Sequence, residues 1–143
     1  MKPLEHSSLQ CIYCDDIREE INGKTTIVGW YDGSSTIVLP PEDALTLPSL
    51  CIVGLLTIPF ELKIKSFALE LRLGEKVLQS IRPPTESINA VNDDREKLGR
   101  QFRIALKSTN FKVSTPCALR LYAMLDDVEL YSNGLYFSRP TAQ

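Results

Sequence analysis

Apolar and polar residues alternate along this chain with a period of two, in short stretches, and no window of 15 residues holds the 3.6 period of a helix. The cleanest example is Phe67–Leu73, where Phe67, Leu69, Leu71 and Leu73 point one way and Ala68, Glu70 and Arg72 the other. Similar alternation marks residues 101–107, through Phe102, Ile104 and Leu106, and Cys117–Leu125, through Leu119, Leu121, Ala123 and Leu125. Residues 9–14 and Thr25–Tyr31, rich in β-branched and aromatic side chains, add two strands. Residues 50–58 are apolar on both alternating faces, as a central strand covered on both sides would be, and the centre of the core is expected there.

Turn residues punctuate these strands. Asn22-Gly23 is the strongest hairpin signal in the chain, calling for a two-residue type I′ turn with residues 17–21 extending the first strand to meet it. A single helical turn over 16–21, capped by Asp15 or Asp16, is the competing reading. Pro40-Pro41 ends a short edge strand at 35–39, because two residues without an N–H cannot continue a ladder. Gly74-Glu75 turns the chain into Lys76–Ile81, Asp126-Asp127 into Val128–Tyr131, and Asn133-Gly134 into Leu135–Ser138, so the last third reads as a meander. Residues 1–8 read as a flexible tail, and 83–97 as a long polar loop with a turn of helix near 94–98. Eight or nine short strands bury their apolar faces as a sandwich or a closed barrel. The two-faced 50–58 segment and a crossover at 83–97 favour an all-β, two-sheet antiparallel β-sandwich of immunoglobulin-like or C2-like kind, in one domain over 1–143.

Composition narrows the partners. At 143 residues a single core buries roughly 70% of the unfolded chain's surface, so no metal or disulfide staple is required. A net charge of −2 lacks the basic excess that nucleic acid demands. The longest nearly apolar stretch, 50–60, is too short to span a bilayer, and the opening MKPLEHSSLQ has no apolar run of the length a secretory signal needs. With four cysteines and no export signal, a reducing cytoplasm is the expected location.

The candidate chemistry is sparse. Nucleophilic catalysis by a Ser-His or Cys-His pair needs a fixed histidine, and the single one, His6, lies in the polar tail. Cys11 and Cys14 have a CxxC spacing, but residues i and i+3 on a strand point to opposite faces, so one metal would not hold both. Together with Cys51 and Cys117 they read as structural, and no cofactor is expected. The pairs Asp15-Asp16, Asp93-Asp94 and Asp126-Asp127 all fall at strand ends or in loops, where a sandwich could gather them into a Ca²⁺ site; each also has a plainer use as a turn, cap or solvated loop. Gly29 allows a bulge before Trp30 and Tyr31, an aromatic pair able to dock a partner, to which Tyr122, Tyr131 and Tyr136 could add.

From Cys14-Asp15-Asp16-Ile17-Arg18-Glu19-Glu20 through Asn22-Gly23-Lys24 to Gly29-Trp30-Tyr31, followed by Leu47-Pro48-Ser49-Leu50-Cys51, the chain resembles a bacterial family of small all-β proteins of unknown function. The resemblance implies the fold class and carries over no catalytic residue. Physically, Asp15 or Asp16 could pair with Arg18 or Lys24 across the hairpin, or Arg18 and Lys24 could receive a peptide or small anion. The expectation is a noncatalytic binding or assembly module, with Arg18, Lys24, Trp30 and Tyr31 as partner-binding residues and another protein or a second copy as partner. The alternative is the Ca²⁺-dependent or carboxylate-based site.

Overall fold

The computed structural model describes residues 7–32, 36–86 and 99–140. Among them ten strands form, in chain order β1 (Ser8–Glu19), β2 (Thr25–Tyr31), β3 (Thr36–Val38), β4 (Leu45–Ile58), β5 (Phe67–Leu73), β6 (Lys76–Ile81), β7 (Arg100–Val113), β8 (Cys117–Leu125), β9 (Val128–Tyr131) and β10 (Leu135–Ser138). One sheet runs β2-β1-β4-β7 and the other β3-β10-β8-β5-β6, with β9 also on β8. The two-sheet sandwich is present, with ten strands against the eight or nine expected. One pair, β3 on β10, is parallel, and the rest are antiparallel.

The two-faced apolar segment lies in β4, which pairs with β1 on one edge and β7 on the other. Leu50, Ile52, Leu56 and Ile58 enter the core shared with Leu69, Leu71, Leu119, Leu121 and Leu125 of the opposite sheet. The sheets approach closely at Gly54, where an added Cβ would lie 2.6 Å from a Leu121 methyl. Further along the same ribbon the inward parity changes: Leu47 of β4 and Phe111 and Val113 of β7 join the core, with Leu45 half-buried against it, although Leu50 and Leu106 set the opposite alternation. The change falls where Pro48, which has no N–H to give the ladder, faces Asn110, whose φ of 53° is left-handed.

The two long seams between the sheets close differently. β2 stops at Tyr31, opposite Tyr13, so the first half of β1 has a strand neighbour on one edge only. Asn133 substitutes for the missing strand. Its Oδ1 accepts the Cys11 N–H at 2.8 Å and its Nδ2 donates to the Cys11 carbonyl at 2.9 Å. Beside it the buried Tyr13 hydroxyl lies 2.7 Å from the Asn133 carbonyl and 3.1 Å from that of Leu119. Along the other seam, Phe102, Ile104 and Leu106 of β7 face inward yet stay half-buried.

Several expectations need correcting. β1 remains a strand through Glu19, so the helical turn over 16–21 does not form. The hairpin is closed by Glu20 N–H to Lys24 O (2.7 Å) and Gly23 N–H to Glu20 O (3.1 Å), which makes a three-residue loop over 21–23. Gly23 has a φ of 82°, but Asn22 is not left-handed, so the turn is type I followed by a left-handed glycine and not type I′. Asn133-Gly134 is no hairpin turn, since β9 and β10 both line the same edge of β8 and Ser132 to Gly134 interrupt that shared edge. Phe102 and Ile104 sit at the rim of the core, not in it. Ser8, inside the segment read as tail, begins β1. His6, Asp93, Asp94 and the helical turn near 94–98 lie outside the described residues.

Candidate functional site

β1 also parts from its neighbour β4 before either strand ends. Pairing with β4 ends at Cys14 opposite Cys51, and beyond that point β1 and β2 continue as a two-stranded arm. A hydrogen bond of 2.7 Å from Ser49 Oγ to the Asp15 carbonyl marks the root of the arm. At that root Gly29, with a φ of 68°, faces Asp15 across the hairpin. A Cβ on Gly29 would lie 2.1 Å from the Asp15 carboxylate, which occupies the space a side chain would fill and accepts the Tyr31 hydroxyl at 3.1 Å.

Ion pairs show where the arm leads. Lys107 of β7 donates to Asp16 at 3.1 Å, and Arg103 of β7 pairs with Glu19. In register, Arg103 faces Leu55, which faces Gln10. At about 3.3 Å per residue the stretch of β1 from Gln10 to Glu19 would carry Glu19 about 30 Å past that row in a flat sheet. The arm therefore curls back over the outward face of its own sheet. Under it lie Cys14 and Cys51, directly opposite one another and both 0% exposed, and Val53, none of which belongs to the core between the sheets. Burial pushes the Cys14 thiol up, and nearby Cys51 and Asp15 add to the shift. Cys11, on the opposite, core face, is also raised by burial, and the Tyr13 phenol is driven well above its ordinary value by the same cause. Protonated, covered thiols are poor nucleophiles and poor metal ligands.

Among the described residues no strand lines the outer edge of β2. Trp30 stands there 64% exposed, in the same cross-strand row as Cys14, Cys51 and Lys107, and forms with Ile12 and Ile27 an apolar depression of about 310 Å³. Tyr31 is half-buried and committed to Asp15, so only one member of the expected aromatic pair is presented. Arg18 and Lys24 sit on the exposed arm without side-chain partners among the described residues. Asp16 pairs with Lys107 and not across the hairpin with either of them, and its Oδ1 also takes the Ile17 N–H at 2.9 Å.

The aspartate pairs do not converge. Asp15 lies beside Ser49 where β1 parts from β4, whereas Asp126 follows β8 and caps the N–H groups of Lys65 and Ser66, just before β5, at 2.9 and 2.8 Å. Asp127 follows in the same turn, and among the described residues no group of three metal-ligating side chains forms. Tyr122, Tyr131 and Tyr136 line the outward face of the other sheet, away from the β2 edge. Arg72 stacks 4.0 Å over Tyr122, and Arg120 donates to the Tyr136 hydroxyl at 2.7 Å. Sequence reasoning missed the Cys14–Cys51 juxtaposition and the Asn133 clamp. A strand register through 14 and 51 would have found the first; nothing local to residue 133 signals the second.

No family model matches this chain, and no curated protein or solved structure matches it either. No helix among the described residues is long and apolar enough to cross a membrane.

Proposed function

We propose that the protein is a noncatalytic docking module that receives an extended segment of a partner protein along the open edge of β2. The observation that carries this is Trp30, a large aromatic side chain 64% exposed beside Ile12 and Ile27 on a strand with unpaired main-chain groups. An added strand supplies hydrogen bonds, and the apolar depression gives its side chain a place to anchor. Thr25–Tyr31 contains no charged residue, so an apolar segment meets no desolvation penalty from ions there. The left-handed backbone at Gly29 kinks the edge. A flexible segment follows such a kink, whereas a second rigid copy would bring the same kink to meet it. We place the module in a reducing bacterial cytoplasm, supported by its four free cysteines and by the resemblance of residues 14–51 to bacterial proteins.

Selection of extended peptides from a random library on the immobilised protein tests this reading. Peptides with a central apolar residue should emerge, shift the amide resonances of Thr25–Tyr31, and lose at least about tenfold in affinity for Trp30→Ala. Peptides that bind elsewhere, or equally well to Trp30→Ala, would refute it, and a concentration-dependent dimer abolished by Trp30→Ala would replace the partner segment with a second copy.

A further inference from the structure

The seam that Asn133 does not close is the one between the edge strands β6 and β7. There the sheets part around a cleft of about 360 Å³, within the range of roughly 300–1,000 Å³ that small-molecule sites occupy. Its floor is formed by Ile52, Leu71, Leu106 and Phe111. The opening follows from the change of parity in β7. Ser108, a small residue opposite Leu50, takes an inward position just before Asn110 turns the strand, and the side chains from Phe102 to Leu106 are left half-buried. Of the floor residues Leu106 is half-buried, and Ile52, Leu71 and Phe111 are core residues whose edges reach the cleft.

The mouth is charged with one sign. Lys76, Lys107 and Lys112 line it, and no carboxylate does. Lys107 is occupied by Asp16. Lys76 and Lys112, one from each sheet, have no side-chain partner among the described residues, and Gln79 and Asn110 add neutral donors between them. An apolar floor below two unengaged ammonium groups matches one kind of small molecule, in which a single hydrocarbon chain ends in an anion.

We infer that the β6–β7 cleft is a binding site for a medium-chain carboxylate, with the alkyl chain lying over Leu71 and Leu106 between the sheets and the carboxylate held between Lys76 and Lys112. The site is independent of the β2 edge. The carboxylate stays at the rim, where water remains available to it, and the two lysines supply hydrogen bonds with charge on both partners, which an alcohol lacks and an ammonium headgroup cannot accept.

The test is calorimetric titration of the full chain with dodecanoate below its micellar concentration, with dodecyltrimethylammonium as the comparison and methyl NMR to locate the ligand. Dodecanoate should bind saturably, shift the methyl resonances of Ile52, Leu71 and Leu106 and leave those of Val28 unmoved. Lys76→Glu combined with Lys112→Glu changes two exposed side chains and should weaken binding by about tenfold or more. The same charge change at Lys63 and Lys65 should cost less than about twofold, and Trp30→Ala should change nothing. Absence of saturable binding, equal affinity for the cationic amphiphile, or an equal loss from the Lys63 and Lys65 variant would overturn the assignment.

Discussion

Replacing Asn133 with Ala should show how much of the sandwich's stability depends on one amide. The side chain makes two hydrogen bonds to the Cys11 backbone, at 2.8 and 2.9 Å, and Cys11 is only 6% exposed. Removing the amide leaves a main-chain donor and acceptor without partners at the edge of the core. If water enters the gap, each lost bond costs its net value of about 0.5–1.5 kcal/mol; if the gap stays dry, each costs about 1–3 kcal/mol. Asn133 itself is exposed, so water reaches part of the space and the sum should be near 2 kcal/mol. For a chain of this length that lowers Tm by roughly 6–8 °C. The Asn133 carbonyl near Tyr13 belongs to the backbone and survives the change, so the experiment isolates the amide. Asn133→Asp keeps the shape and one acceptor but turns the donor into a second acceptor facing the Cys11 carbonyl, and should cost at least as much at pH 7. Urea denaturation of the three proteins, with equal m-values, gives the differences. A loss below about 0.5 kcal/mol in both variants would mean that the amide does not substitute for a strand.

Other residues give sharper single tests. The hydrogen bond from Lys107, followed by that from the Ile17 N–H, holds the Asp16 carboxyl below the usual carboxylate range. A depressed native pKa means that the contact contributes above the ordinary aspartate value of about 3.9 and is lost as pH falls through the native value. Carboxyl-carbon NMR should therefore find Asp16 titrating low and returning upward in Lys107→Met, and an unmoved midpoint would remove the pair. Cys14 and Cys51 should resist a thiol reagent in the native state, and Arg103→Ala combined with Lys107→Ala, which frees the arm, should speed their labelling; equal rates would mean that something else covers them. Gly54→Ala should destabilise by about 1–3 kcal/mol, because the new methyl meets Leu121 at 2.6 Å, and a neutral result would show that the sheets have room to part there.

Much of this fold was legible because burial on one face leaves a period-two record. Phe67–Leu73 and Cys117–Leu125 alternate cleanly and became the central pair β5–β8 of their sheet, with Leu69, Leu71, Leu119 and Leu121 in the core. Residues 50–58 announced a strand covered on both faces; on the face away from the other sheet Cys51 and Val53 are covered, whereas Leu55 is 40% exposed. The same rule misplaced Phe102 and Ile104. Alternation says which residues share a face, not whether the opposite sheet reaches far enough to cover it. The turn at 21–23 failed for a related reason: Asn-Gly permits a two-residue turn, but the pairing of Glu19 with Thr25 leaves five residues between the strands, and the extra length selects the three-residue loop closed by Glu20 and Lys24.

The candidate sites were less legible because they arise from where strand pairings stop or change face, a property of pairs of strands and not of any one segment. β1 is longer than the stretch β2 covers, and Asn133 fills the shortfall at Cys11. It also parts from β4 at Cys14 and Cys51, although β4 runs on to Leu45 beside β7, and its remaining length becomes the arm that folds back to Arg103 over the outward face of the sheet. β7 changes its inward face at Asn110, and the cleft under Lys76 and Lys112 opens beside that change. Trp30 was visible in the sequence as an aromatic residue, but its exposure depends on β2 being the last strand of its sheet, which only the order β2-β1-β4-β7 decides. Each feature follows from where a pairing stops or changes face. A change in the length of β2 would therefore act on the clamp and the docking edge together: extending it past Tyr31 would compete with Asn133 for Cys11 and lengthen the open edge beside Trp30.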